Sequence, residues 1–479
     1  MAELTVRIID GQSPVQLVLP QVMASHGVDT TGGYLDKLPR AASVERQLFF
    51  SDPPPLPNRH EVPAEWLELE RQVTRHERFE DTSSETFMPW DMFKAWNSAL
   101  VGDPCSRHFF RSAPGKLFIY DPPDGKIRPA FRFLPDATMP DGLVTNQYGW
   151  RGPPVPFRKA PKTIRIIFVG ASTVSEIHEV PFSGPEYLNN WLNLWAAARH
   201  LDVRFEVLNA GRESIRSRDI APIVKQEVAP MRPDLVVYYE GGNDLDLWTV
   251  VKSAPPMTPK SGSAIERWLR WAGTYSALAR RSLSLVQSRE WPRPDYKLDW
   301  PPGLDEFDPD ITRPDLPVNL SEIVRNLDAI RTDLAAVGSD LSVASFHWLA
   351  KDGLVLNAGT QQAIVQTLNI TYFPFRYRDL ERMTAFENRV FAKYDKVHGL
   401  PFIDVAKYMP YDPNLFSDGV HNTPAGVKLR AWIELQQLVP LIEQRLASGK
   451  WPQPVPDMPD THPAFATPPR MISFNCKAS

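Results

Sequence analysis

The chain has 479 residues, with 53 Lys and Arg against 57 Asp and Glu, for a formal net charge of −4. It is long enough for two or three domains around a large core, and its charge balance excludes a nucleic-acid binder, which would carry a strong basic excess. Proline is the outlier at 48 residues, about twice the usual ~5%, and because glycine is not raised with it the surplus points to stiff irregular segments around a regular core.

No run reaches the ~18 apolar residues of a membrane span. The start, Met1-Ala2-Glu3-Leu4-Thr5, lacks the basic and apolar regions of a signal peptide. The expectation is a cytoplasmic chain, or a mature or truncated form of an extracytoplasmic one. Cys105 and Cys476 read as two thiols or as a single disulfide pinning the C-terminal tail. No metal-ligand cysteine spacing is present, and neither a metal nor a cofactor is expected.

Residues 1–140 show no strand–helix rhythm and are expected to form an accessory layer on the core. Pro53-Pro54-Pro55-Leu56-Pro57 reads as a polyproline connector. Helices are predicted from Pro63 to about His76 and from Phe87 to Leu100. The aromatics Phe87, Trp90, Phe93 and Trp96 on the second read as packing, or else as a ligand-binding face.

From Thr163 the pattern changes. Ile164 to Val169, Phe205 to Leu208, Asp234 to Tyr239, Leu341 to Phe346 and Pro401 to Val405 are short branched apolar runs, predicted as five buried strands. Helical spacing lies between them: Leu320, Ile323, Val324, Leu327, Ile330 and Leu334, with Gly338 as the stop. Thr423-Pro424 reads as an N-cap followed by a first-turn proline. Such alternation predicts a parallel, doubly wound sheet with its site at the carboxyl edge. The predicted domain spans 141–448, with insertions at about 249–315 and 351–380 and a tail at 449–479. Within the first insertion, Ala264 to Gln287 is a basic amphipathic stretch carrying Trp268, Leu269, Trp271, Arg267 and Arg270. It reads as a lid helix over the site, or as a peripheral membrane-surface helix.

The chemistry-bearing residues sit at the strand ends. Ser172 follows the first run, where backbone N–H groups favour developing negative charge. Gly211 follows the second, where the missing side chain leaves a backbone N–H approachable. Asn243, in Glu240-Gly241-Gly242-Asn243-Asp244, follows the third, and its amide can donate to an oxyanion. Asp418 and His421 lie three apart after the fifth, a spacing that lets the carboxylate reach Nδ1 and leaves Nε2 for a serine. Each has a plain alternative: an N-cap serine, a turn glycine, an ordinary Asn-Asp loop. Arg212, Arg216 and Arg218 read as a solvated helix face, or as an anion site. Trp248 and Glu240 could line a pocket or simply pack, and His178 and His347 read as core or loop histidines.

Together these blocks resemble the SGNH hydrolase superfamily, the GDSL-type esterases and lipases, over roughly residues 140–445. Ser172, Gly211, Asn243 and His421 match its four blocks in order, and Asn146-Gln147-Tyr148-Gly149-Trp150-Arg151-Gly152 is similar to a segment preceding the first strand in many bacterial members. The resemblance implies a flavodoxin-like three-layer α/β/α sandwich. It implies Ser172 as nucleophile, His421 as base and Asp418 as its orienting partner. Ser172 N–H, Gly211 N–H and Asn243 Nδ2 would form the oxyanion hole. Two blocks depart from the pattern: Ala171 and Val174 replace the Asp and Thr of Gly-Asp-Ser-x-Thr, and Ser214 replaces the last glycine of Asn-x-Gly-x-x-Gly. The expected activity is hydrolysis of carboxyl esters, short acyl esters of a glycan or small metabolite, through an acyl-enzyme. An O-acyltransferase with the same triad and a non-catalytic glycan- or partner-binding relative are the alternatives.

Overall fold

The computed structural model describes residues 2–9, 31–62, 116–119, 135–139, 142–176, 181–251, 264–273, 276–465 and 470–473, with a few isolated positions between them. The predicted helices after Pro63 and after Phe87, and both cysteines, lie outside the described residues or touch them only at isolated positions.

The central strand β1, Thr163–Gly170, is buried at every position. Its run of branched side chains lacks in–out alternation, as expected of a parallel strand covered on both faces. β2 (Arg204–Asn209) and β3 (Leu235–Tyr239) flank it, and β4 (Asp340–Val343) lies beyond β3, all parallel, in the order β2-β1-β3-β4. The predicted fifth strand, Pro401 to Val405, is reduced to one parallel bridge between Ala344 and Ile403. Side chains end the pairing on both sides. Asp404 caps the short helix Val405–Tyr408, accepting from Lys407 N, and gives its own N–H to Gln437 Oε1 at 2.8 Å. Across from it, Asn388 takes both backbone groups of Phe346, at 2.7 and 2.8 Å. Proline at 401 offers no N–H to extend the ladder.

Helix α1, Gly184–Ala198, starts at a capping box of Ser183 and Glu186, a device that contributes about 1 kcal/mol. It packs on β2 and against α5, Pro424–Ala447, which begins at the Thr423 cap with proline in its first turn. A second group comprises α2 (Ser217–Ile223), α3 (Leu320–Ala335) and α4 (Tyr377–His398). Here α2 packs on α3, while α3 and α4 pack on β4. All six apolar positions predicted on α3 are buried. Its chain leaves through Gly338 at φ 79°, a backbone state that suits glycine.

Residues 31–62 lie on the α1–α5 pair. Phe49 packs against Trp191 and Trp432, with ring centroids 6.0 and 5.5 Å away, and Ser51 O accepts from Trp191 Nε1 at 2.8 Å. The segment Asn146 to Gly152 wraps on Asn146 Oδ1, which accepts from Tyr148 N and Trp150 N, and Arg151 reaches Glu186 at 3.1 Å. That contact joins the segment to the α1 cap beside the site. The stretch predicted as one helix from Ala264 to Gln287 is two, Ala264–Gly273 and Ala277–Leu283, and Gln287–Ser288 pairs as a short strand with Leu356–Asn357. The second helix has its own start: Glu3 accepts from Ala277 N and Leu278 N, and Ser276 Oγ from Ala279 N. Leu269 is buried against Leu283 and Ala279, while Ile265 and Trp268 are exposed. Among the described residues no helix is long and apolar enough to cross a membrane.

Candidate active site

In an open parallel sheet a crevice forms where consecutive connections run to opposite sides of one strand. Here that strand is β1: the chain leaves it for β2 on one side, then returns past it to β3 on the other. Ser172 lies two residues beyond β1, Gly211 two beyond β2 and Asn243 four beyond β3, so three loops open onto one edge.

The first loop is a forced turn. A side chain at Gly170 would place its Cβ 2.2 Å from Tyr239 O and 2.5 Å from Val174 Cγ2. Ser172 then opens a single helical turn, Ser172–Ser175, closed by Glu176 at φ 47°. The second loop presses against that turn. A Cβ on Gly211 would meet Ser175 N at 2.5 Å, and Asn209 Nδ2 donates to Val174 O at 2.6 Å. Glycine at 211 is therefore required by close approach of two backbones.

His421 arrives from the far end of the fold. Phe416 and Asn422 form an antiparallel bridge, and Ser417 N donates to His421 O at 2.9 Å, closing a tight loop ahead of α5. Leu349 N donates to Gly419 O at 2.9 Å and ties that loop to the chain after β4. On the next turns of α5, Arg430 donates to Thr173 O at 2.8 Å and pairs with Glu176. One helix thus carries the histidine loop and grips the serine turn.

The result is a relay. His421 Nε2 lies 2.8 Å from Ser172 Oγ, and His421 Nδ1 lies 2.7 Å from Asp418 Oδ2. The other oxygen, Asp418 Oδ1, accepts from Val420 N and His421 N, both at 2.8 Å. Burial pushes the Asp418 carboxyl upward, but the neighbouring His421 and these hydrogen bonds outweigh it and hold Asp418 below the ordinary carboxylate range. The site opens to water: the side chains of His421 and Asp418 are 21% and 29% exposed.

The three predicted oxyanion donors occupy one edge in different states. Ser172 N–H sits in the first turn of its helix, where no intrahelical acceptor exists. Asn243 Nδ2 donates one proton to Ile215 O at 3.0 Å, and an amide carries two. Gly211 N–H donates to Asn209 Oδ1 at 3.0 Å, so it reaches a ligand only by sharing or leaving that acceptor.

Other sequence readings resolve differently. Arg212 is neither a solvated helix residue nor an anion site; it is buried and paired with Glu227 under Trp150. Arg216 and Arg218 are exposed. His347 is a core histidine between Tyr411 and Phe416, and burial pushes its ring down to about 4. His178 lies outside the described residues. Trp248 is 55% exposed and meets Phe375 edge to face. Glu240 lines nothing: it is 1% exposed and lies beneath the loops. Arg430 and Glu387, which pack against the serine turn and under Gly241, were invisible to sequence reasoning because only folding brings them there. Among the described residues no cluster of His, Cys, Asp or Glu could hold a metal ion.

No family model matches the chain, and no curated protein matches it. Solved structures do. A GDSL-like lipase from Bacteroides thetaiotaomicron VPI-5482 aligns at 12% identity over 60% of this chain and 91% of its own, with a TM-score of 0.30. A putative acylhydrolase from Bacteroides fragilis NCTC 9343 aligns at 14% identity over 61% and 91%, with a TM-score of 0.31. An acetylxylan esterase from Geobacillus stearothermophilus aligns at 14% identity over 57% and 94%, with a TM-score of 0.32.

Proposed function

We propose that the protein is a serine esterase that cleaves carboxyl esters through an acyl-enzyme on Ser172, on a flavodoxin-like three-layer scaffold. The observation that carries this reading is the unbroken line Asp418–His421–Ser172, at 2.7 and 2.8 Å. His421 Nε2 takes the Ser172 Oγ proton as the oxygen attacks the ester carbonyl. Asp418 holds Nδ1 protonated and so fixes the tautomer that leaves Nε2 basic. The tetrahedral oxyanion is met by Ser172 N–H and the second proton of Asn243 Nδ2, with Gly211 N–H turning from Asn209. Collapse expels the alcohol, which takes its proton from His421. Water, activated by the same nitrogen, then releases the acid. General-base transfer supplies about 10²–10⁴-fold, and each well-aimed oxyanion donor about 10²–10³-fold.

The acyl group is read as short, on a glycan or small metabolite. A sugar alcohol suits Trp248, an exposed ring braced by Phe375 and offered for stacking five residues beyond Asn243. The test is fluorophosphonate labelling with peptide mapping, together with Ser172→Ala on p-nitrophenyl acetate. Label on Ser172 and a loss of about 10³-fold or more in kcat are expected. Label on another residue, or undiminished turnover by the variant, removes the reading.

A further inference from the structure

The parallel ladder between β1 and β3 ends at the pair Gly170 and Tyr239. The next residues on the two strands are Ala171 and Glu240, where a further rung would form. In its place the Glu240 side chain makes the connection. Through Oε1 it accepts from Asn243 N–H at 2.7 Å on one loop, and the same carboxyl faces the Ala171 N–H of the other, which favours its ionised form. Ala171 immediately precedes the nucleophile, and Asn243 is itself the amide donor. One buried side chain therefore joins the two loops at the residues that must converge on a single oxygen.

The neighbouring positions of the Asn243 turn are fixed as well. Gly241 rests on Glu387, which a Cβ would meet at 2.6 Å. Asp244 accepts from Ser217 N and Oγ at 2.6 and 2.9 Å. The Asn243 side chain is held by Ile215 O. Among these contacts, the Glu240 carboxyl is the one that faces the serine loop as well.

We propose that Glu240 is a positioning residue for ester hydrolysis, holding the Ser172 and Asn243 loops as one unit so that both oxyanion donors face the same point. This rests on the esterase reading above. An ionised carboxylate directly beneath a developing oxyanion would oppose it, and the surroundings deal with that charge. Glu240 faces Asp244, Glu387, Tyr238, Tyr372 and His421. Burial, reinforced by Asp244 and only partly offset by the Asn243 and Ala171 hydrogen bonds and by His421, pushes its carboxyl up to about 8. Below that pH it is a neutral acid whose oxygens still accept.

The experiment compares Glu240→Leu and Glu240→Gln with wild type and Ser172→Ala, using p-nitrophenyl acetate and counting active sites by fluorophosphonate titration. Leucine removes the acceptors; kcat per titrated site is expected to fall about 10²-fold, the scale of one misaimed oxyanion donor, with KM within about threefold. Glutamine keeps one acceptor and no charge; it is expected to fall between wild type and the leucine variant near pH 7 and to lack the decline in kcat that ionisation of Glu240 brings above pH 8. Where the leucine variant folds, kcat within threefold of wild type overturns the proposal. Where it does not fold, the alkaline limb decides, and superimposable wild-type and glutamine profiles overturn it. Activity retained by Ser172→Ala would remove the esterase reading itself, whereas a dead Ser172→Ala beside a fully active Glu240→Leu removes only the role of Glu240.

Discussion

Two acids near the same histidine are treated in opposite ways. Asp418 sits in the rim loop, where His421 and two backbone N–H groups collect on its oxygens and hold it below the usual carboxylate range against the pull of burial. Glu240 sits in the floor, where burial and the neighbouring Asp244 outweigh its two backbone donors and push it up to about 8. Both face two backbone N–H groups of the chain. Both feel His421; the difference lies in depth and in the other neighbours, since Asp418 is part-exposed and hydrogen-bonded to the imidazole while Glu240 is buried beside Asp244 and Glu387. Hydrogen bonds alone do not decide whether a buried carboxyl is charged; desolvation and the neighbouring charges weigh against them. The rim thus holds a carboxylate against the imidazole, while the floor holds acceptors whose charge is disfavoured.

The sharpest break in that comparison is to remove the rim charge. Asp418→Asn keeps the shape but lets the amide donate where the carboxylate accepted, favouring the wrong imidazole tautomer. A loss of about 10³–10⁴-fold in kcat is expected, with little change in thermal midpoint. A loss below tenfold would show that Asp418 does not orient His421.

Stability against pH separates rim from floor. Besides Glu240, burial pushes Asp395 up to about 8 and Glu434 to about 7. Each folded-state value lies above the unfolded one, so between roughly pH 4.5 and 8 the folded chain keeps protons that the unfolded chain has released. The stability these groups contribute is present at the acid end and lost as pH rises through their folded values, by up to about 1.4 kcal/mol per pH unit per group. Asp418 has the opposite sign: its contribution holds at neutral pH and is lost only as pH falls through its depressed value. The thermal midpoint is therefore expected to decline from pH 5 to pH 9. Asp395→Asn, remote from the triad on α4, should flatten the decline without altering kcat. A midpoint that climbs with pH, or an unchanged slope in the variant, contradicts this account.

How far the sequence reached follows the same division. Ser172, Asp418 and His421 were legible because each lies beside a local signal: a strand end, a glycine turn, an Asp-x-x-His ahead of a capped helix. Four strands and the α3 stripe were legible because their burial is written in apolar period. The fifth strand was not, because Asn388 and Gln437, distant in sequence, take the backbone groups the ladder needed. Arg212 misled because its partner Glu227 lies beyond the next helix, and nothing local marks an ion pair that only packing encloses. Glu240 stood in plain view after β3, but its meaning depends on Ala171, on Glu387 and on its depth.

The smallest expected effect concerns the departure at Ser214. In the block that this segment resembles, glycine stands at that position; here Ser214 holds φ 55°, in the left-handed region where a side chain is strained. The neighbouring Arg212 and Asn209 contacts fix the loop, so the serine bears that conformation instead of relaxing it. Ser214→Gly removes the steric cost of roughly 1 kcal/mol and gives back part of it through the greater freedom of the unfolded chain. A net gain of up to about 0.5–1 kcal/mol in urea unfolding is expected, with kcat unchanged because the side chain is exposed. A loss of stability would mean that the serine hydroxyl holds the loop more strongly than its backbone strains it, and the Gly211 side of the site would then rest on that side chain.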